Sequence, residues 1–315
     1  MNRKKGTLIR YPAAATRRDS PVAVTYRELA PTPELRSQVR SYYSFVPGAA
    51  EWRGRRAVTR QVQFTIEDSF CSPLFADGQA SLVMDLGRTC HVGTGWTSGT
   101  AVQARAIGPL QTVGSPAGTC HSEMIGVYFE PGATSALLQA PLVELTDHVV
   151  ELQQLWGAPG AHLAEDLAEL DEAGRVDRLE AVLLERVRRA PTLHLRVDVI
   201  GLARWARAEP TLLTVGRLAE AAGVSRQHLT RLFRPTIGVS PKRYCRLARF
   251  QAGLAFAGAG PGVNWAEVAA ELGYADQSHM IAEFRELSGL TPDALATQQW
   301  FHPFILQAQA RSATH

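Results

Sequence analysis

LAEAAGV (residues 218–224) and VAAELGY (residues 268–274) are one pattern written twice, 50 positions apart. Past this segment the match resumes at an offset of 51: Leu229 aligns with Met280, Phe233 with Phe284, Gly238 with Gly289, and Ser240-Pro241 with Thr291-Pro292. One extra residue therefore falls in the second turn region, where a loop absorbs it.

Each copy has the parts of a helix-turn-helix. A short apolar helix (Leu218, Ala219, Ala222; then Val268, Ala269, Leu272) runs into Gly223 or Gly273, a residue able to take positive φ at the turn. A polar residue, Ser225 in the first copy and Asp276 in the second, then caps a second helix. The first unit is expected at about 214–235 and the second at about 264–288. Between them Pro241, as an N1 proline, opens a helix over about 241–257. At about 1.5 Å per residue that helix spans roughly 25 Å. It can hold two recognition helices near one DNA turn apart, roughly 34 Å. With Leu229, Leu232 and Phe233 inward, Arg226, Gln227, His228, Thr230 and Arg231 are left for solvent or DNA.

The stretch ELGYADQSHMIAEFRELSGLTPDAL (271–295) closely resembles the most diagnostic segment of the AraC/XylS family of transcriptional regulators. Leu272, Gly273, Tyr274, Gln277, Ser278, His279, Phe284, Gly289, Thr291 and Pro292 stand as that family has them. Met280 replaces a usual phenylalanine, a tolerable core exchange, and Ala282 replaces a usual arginine, removing a DNA-facing cation. The resemblance implies a DNA-binding domain over about 191–300. Ahead of it, it implies a region, often a cupin-like β-barrel, that senses a small molecule or mediates dimerisation.

Charge makes the two units unequal. From Thr214 to Phe250 eight basic residues face one acid, Glu220, for a net +7. From Gly258 to Trp300 one base, Arg285, faces six acids, for a net −5. Because phosphate neutralisation supplies much of the affinity for DNA, the first unit is expected to dominate. Its helix from Ser225 to Arg234 is read as the base-reading element. Arg226, Gln227 and Arg231 are the readers, since arginine pairs bidentately with guanine and glutamine with adenine. Arg234, Arg243 and Arg246 are assigned to phosphate. Gln277, Ser278 and His279 are assigned a weaker backbone contact, His279 having a capping role as its alternative. The acidic second unit serves otherwise as scaffold or meets RNA polymerase.

The N-terminal part has a different texture. From Tyr26 to Phe129 short β-like runs are punctuated by turns. Ala80–Leu86 follows the hairpin dipeptide Asp77-Gly78, and Met124–Phe129 ends at Pro131-Gly132. Many short strands argue for an antiparallel barrel or sandwich. Helices are then expected from an Asp147 N-cap to Trp156, over Ala161–Leu170, and over Arg175–Arg189. The last places Val176, Leu179, Val182, Leu183, Arg186 and Val187 near one face, a stripe suited to packing on the β domain or to a homodimer. The expected organisation is α+β: a basic tail (1–22), a β-rich regulatory domain with C-terminal helices (23–190), an all-α DNA-binding domain (191–300) and a tail (301–315).

Other function classes find little support. No apolar run reaches the roughly 18 to 20 residues of a membrane span, and no apolar segment follows the basic N-terminus. Cys71, Cys90, Cys120 and Cys245 form no CxxC pair, which suits a reduced, cytoplasmic protein. His91 and His121 stand singly beside Cys90 and Cys120, and adjacent strand residues point to opposite faces, so no metal site is assigned. Trp52, Trp96, Tyr128 and Phe129 line either an apolar pocket or plain core. There is no GxSxG, Walker loop, dinucleotide fingerprint or HExxH, so no catalytic residue and no cofactor is assigned. The expected function is a sequence-specific transcriptional regulator, read as an activator. Its partners are double-stranded DNA, RNA polymerase, a small-molecule effector and a second copy of the chain. The alternatives are an enzyme or methyl-accepting repair regulator fused to a DNA-binding module, and a regulator controlled by a partner protein.

Overall fold

β1 (Val22–Leu29) is buried on both faces from Val24 to Leu29, so both sides of the sheet are covered along it. The computed structural model describes residues 22–48, 51–66, 76–86, 102–111, 123–190, 197–211, 214–258 and 260–297. β1 lies between β2 (Val39–Pro47) and β3 (Val58–Ile66). β2 pairs with β6 (Met124–Phe129), β6 with β4 (Ser81–Asp85), β4 with β5 (Gln103–Ile107), and β5 with β7 (Val149–Glu151). All pairs are antiparallel, in the order β3-β1-β2-β6-β4-β5-β7. The antiparallel β domain expected from the sequence is therefore present.

Two-residue periodicity gives the sheet two characters. One face sends Leu29, Tyr42, Leu82, Met84, Ile125, Val127 and Phe129 into an apolar core. The other gathers Tyr26, Tyr43, Phe45 and Tyr128, with Tyr43 stacked on Tyr128 at 4.4 Å between ring centres. Gly126 is required here, since a Cβ would lie 2.1 Å from the Tyr43 ring. Tyr128 and Phe129 thus point to opposite faces and cannot line one pocket. Trp52 packs on the apolar core, and Trp96 lies outside the described residues.

Short helices α1 (Thr134–Leu138), α2 (Leu142–Leu145) and α3 (Leu152–Trp156) lead to α4 (Ala158–Ala168) and α5 (Glu172–Arg189), which cover the apolar face. Val176, Leu179 and Leu183 of α5 are fully buried in that core, so the stripe is used within this half. A homodimer would need another surface. Polar ties fasten α5 to the strands: Glu172 accepts from buried Arg27 at 2.5 Å and from Ser44 at 2.5 Å, and Glu180 pairs with Arg56.

Two local expectations are corrected. Asp77-Gly78 closes no hairpin between β3 and β4, which lie apart in the sheet; Asp77 instead accepts from the Gln79 amide in an Asx turn. Asp147 is not a helix N-cap. It sits at φ +60°, precedes β7 and binds the backbone and side-chain amides of Gln111. The boundary at 191 and both tails fall on residues that the structure does not describe, apart from Val22.

The C-terminal half is helical throughout: α6 (Val199–Ala208), α7 (Val215–Ala221), α8 (Arg226–Ile237), α9 (Pro241–Ala257), α10 (Trp265–Glu271), α11 (Gln277–Ser288) and α12 (Pro292–Thr297). Side-chain caps start all seven, from Asp198, Thr214, Ser225, Ser240, Asn264, Asp276 and Thr291. One apolar cluster runs through both helix-turn-helix units with α9 as its spine. Phe233 meets Tyr244 at 5.5 Å and Phe250 meets Phe284 at 4.9 Å, both edge to face. Met280, in the place of the usual phenylalanine, is completely buried.

Candidate nucleic-acid interface

α7 and α8 form the first helix-turn-helix, and α10 and α11 the second. Gly223 (φ +63°) and Gly273 (φ +70°) make the two turns in the left-handed region. In the first unit Leu229, Phe233 and Ile237 bury one side of α8. The opposite side is fixed by that choice: Ser225, Arg226, Gln227, Arg231 and Arg234 are exposed, and His228 and Thr230 are half-buried. Six of the residues assigned to this helix thus share its outer and N-terminal surface with Arg234.

Several have internal duties. Ser225 Oγ accepts from the His228 amide at 3.1 Å, so its oxygen is used as the cap. Thr230 Oγ1 donates to the Arg226 carbonyl at 2.9 Å. Arg231 lies 3.2 Å from His228 Nδ1, which steers its guanidinium along the helix surface. Gln277, Ser278 and His279 are exposed on the first turn of α11. The His279 amide is capped by Asp276 at 2.7 Å, and its ring meets Tyr274 edge to face at 5.5 Å.

Arg243 and Arg246 are placed differently from the rest. Both turn toward α11. Arg243 donates to Glu286 at 2.8 Å and to the Gln111 carbonyl of the sheet half. Arg246 donates to Glu283 at 2.7 Å and to Glu286 at 2.6 Å. Glu283 is buried and also accepts from the Tyr274 hydroxyl at 3.0 Å. Arg249 completes the seam, its guanidinium 5.0 Å above the Tyr274 ring. The roles of Glu283 and Glu286 were missed in the sequence. Their spacing of three on α11 mirrors that of Arg243 and Arg246 on α9, but nothing local says that the two faces meet.

The electrostatic picture is sharpened by this seam. Part of the positive surplus of residues 214–250 is neutralised by the acids of the second unit. What remains exposed of it on α8 and the start of α9 is Arg226, Arg231, Arg234 and Lys242. Cys245 is a buried free thiol, and burial pushes it up to about 11, away from nucleophilic use. Cys71, Cys90, Cys120, His91 and His121 lie outside the described residues, among which no group of His, Cys, Asp and Glu could hold a metal ion. Among the described residues no helix is long and apolar enough to cross a membrane.

Residues 27–151 match the model of a domain of unknown function. No curated protein matches the chain. Among solved structures the chain is similar to ToxT from Vibrio cholerae at 9% identity, covering 73% of this chain and 98% of that one with a TM-score of 0.40. It is also similar to the C-terminal domain of AraT, a response regulator from Geobacillus stearothermophilus, at 20% identity over 32% of this chain and 92% of that one, with a TM-score of 0.28. Residues 218–298, which hold α8 to α12 and most of α7, match the family model of a helix-turn-helix domain. Residues 218–298 of the chain therefore form a helix-turn-helix domain.

Proposed function

We propose that the protein reads a specific DNA sequence mainly through α8 and acts in the cytoplasm as an activator whose β-rich half senses a small molecule. The observation carrying the DNA assignment is the outer face of α8, where Arg226, Gln227, Arg231 and Arg234 are exposed with no carboxylate among them. A recognition helix enters the major groove by its N-terminal residues, which here are Arg226 and Gln227. α11 presents Gln277, Ser278 and His279 but carries Glu283 and Glu286, so its contact with phosphate is the weaker one. The remaining acidic surface of the second unit and α12, with Glu267, Glu271 and Asp293, suits RNA polymerase as a partner.

The test is selection of a bound DNA site with the full chain, followed by affinity measurements on single variants. Arg226→Ala and Arg231→Ala should each weaken binding about 5- to 150-fold, the effect of losing a bidentate base contact worth roughly 1–3 kcal/mol. Gln277→Ala should cost much less. Arg243→Ala and Arg246→Ala should leave the salt dependence of binding nearly unchanged, because their charges are engaged with Glu283 and Glu286. Intact affinity in both α8 variants together with a large loss in Gln277→Ala would overturn the assignment.

A further inference from the structure

His228 and Arg231 stand three positions apart on α8, a separation at which helix neighbours meet. The Arg231 guanidinium donates from Nη2 to His228 Nδ1 at 3.2 Å, on the surface left over when Leu229, Phe233 and Ile237 are buried. We propose that His228 is a positioning residue for sequence reading: its ring holds Arg231 in the orientation that meets a base edge, and touches no base itself. The proposal rests on the reading of α8 given above and names what sets its specificity.

The chemistry of the two groups fixes the direction of their bond. A guanidinium can only donate, so Nδ1 is the accepting nitrogen and the ring proton is on Nε2. Arg231 spends one N–H on the ring and keeps the rest of its fork for a guanine edge. The histidine is half-buried and the arginine exposed, so the ring is the fixed member of the pair and the arginine the one that reaches outward. The His228 amide donates to Ser225 Oγ at 3.1 Å, as part of the helix cap. That bond uses the main chain, so replacing the ring leaves the cap in place.

The energetic reason is preorganisation. Fixing an arginine against a base costs more rotamer freedom than fixing most side chains, and a partner in the free protein removes part of that cost beforehand. Phosphates ask less of it. They are met by charge in many orientations, so contact with DNA of any sequence gains little from the His228 bond. The bond should therefore act on discrimination between sequences and not on general affinity. Arg226 offers an internal comparison. Its Nη2 lies 3.0 Å from where a Cβ on Gly216 would stand, so its guanidinium rests against α7. Among the described residues no hydrogen bond joins it to His228.

The test is a double-mutant cycle on the full chain, with affinities measured for the selected site and for DNA of unrelated sequence at one salt concentration. His228→Ala should weaken binding to the selected site about 2- to 10-fold and leave the unrelated DNA unchanged. His228→Asn, whose amide oxygen takes the place of Nδ1, should recover most of the loss. His228→Lys should tighten binding to unrelated DNA through its added charge and still lower the ratio of the two affinities. The losses of His228→Ala and Arg231→Ala should fall well short of adding in the double variant, while those of His228→Ala and Arg226→Ala should add. Additive losses for His228 and Arg231 would make His228 an independent base reader and overturn the proposal. So would an equal loss on both DNAs in all three His228 variants, or a His228→Asn protein as weak as His228→Ala. A loss in Arg231→Ala with none in His228→Ala overturns this proposal alone, whereas no loss in Arg231→Ala overturns base reading by Arg231 as well.

Discussion

Replacing Glu283 by alanine should destabilise the DNA-binding half by about 2–4 kcal/mol, because removing one member of a buried pair strands the other. Glu283 is 4% exposed and serves two partners, Arg246 and the Tyr274 hydroxyl. Both are left behind by the substitution. Arg246→Ala should cost less, since the Arg246 side chain is 24% exposed and the stranded carboxylate keeps the tyrosine. Glu283→Gln, which can still accept from Tyr274, should fall between. Denaturant unfolding of the full chain, followed by tryptophan fluorescence with Trp265 in the affected core, measures all three. An unchanged midpoint for Glu283→Ala would show that the seam between α9 and α11 is not a structural joint. The joint should also weaken in acid. Hydrogen bonds from Arg246, and then Arg243, hold the Glu286 carboxyl below the ordinary carboxylate range. Their stabilisation is present above the unfolded-state pKa and is lost as pH falls through the lowered folded value.

That joint changes how the charge contrast between the units is to be understood. Read along the chain, a basic block and an acidic block suggest one unit that holds DNA and one that does not. In three dimensions some of the acids face the bases. Glu283 and Glu286 hold Arg243 and Arg246 on the spine, and the positive surface left over is concentrated on α8. The asymmetry is thus also a means of fixing α8 and α11 relative to each other, as the proposed contact of both helices with DNA requires.

How much of this could be read from residues follows the range of the interactions. Helix caps, N1 proline and turn glycine act within a few positions, so Ser225, Asp276, Pro241, Gly223 and Gly273 were legible, and the repeat gave them twice. The strands Ser81–Asp85 and Met124–Phe129 were also visible from their β-branched and aromatic content. Their partners were not. β2 pairs with β6 across about eighty residues and β4 sits between β6 and β5, an order that no local pattern encodes. Asp77 and Asp147 misled for the same reason. Each is a turn or cap former whose side chain is used by a neighbour chosen by the tertiary fold, Gln79 in one case and Gln111 in the other. Arg243 and Arg246 looked like phosphate contacts because their partners lie 37 to 43 positions away. The cavity of about 390 Å³ between the halves, lined from five separate segments, left no mark in the sequence.

Gly238→Ala should be the most damaging small substitution at the boundary between the halves, and comparison with Gly223→Ala isolates why. Both glycines are in the left-handed region, Gly238 at φ +93° and Gly223 at φ +63°. For any L-residue that conformation costs roughly 1–2 kcal/mol. At Gly223 nothing lies within 4 Å of an added Cβ, so that strain is the whole cost. At Gly238 the Cβ would meet Pro109 Cγ at 2.7 Å, Thr146 Oγ1 at 3.0 Å and the Leu142 carbonyl at 3.1 Å, all from the sheet half. Its own carbonyl accepts from Thr146 Oγ1 at 2.9 Å, one of the bonds that hold the halves together. The expected total for Gly238→Ala is about 2–4 kcal/mol, the part above the Gly223→Ala value being the clash across the boundary. Limited proteolysis should then show faster cleavage between the halves for Gly238→Ala than for Gly223→Ala. Equal destabilisation and equal cleavage in the two variants would mean that the close approach at Gly238 does not hold the halves together. Because α8 ends at this glycine, loosening it also frees the helix proposed above to read DNA, so a gain or loss of operator affinity in Gly238→Ala but not in Gly223→Ala would tie the docking of the halves to the strength of DNA binding.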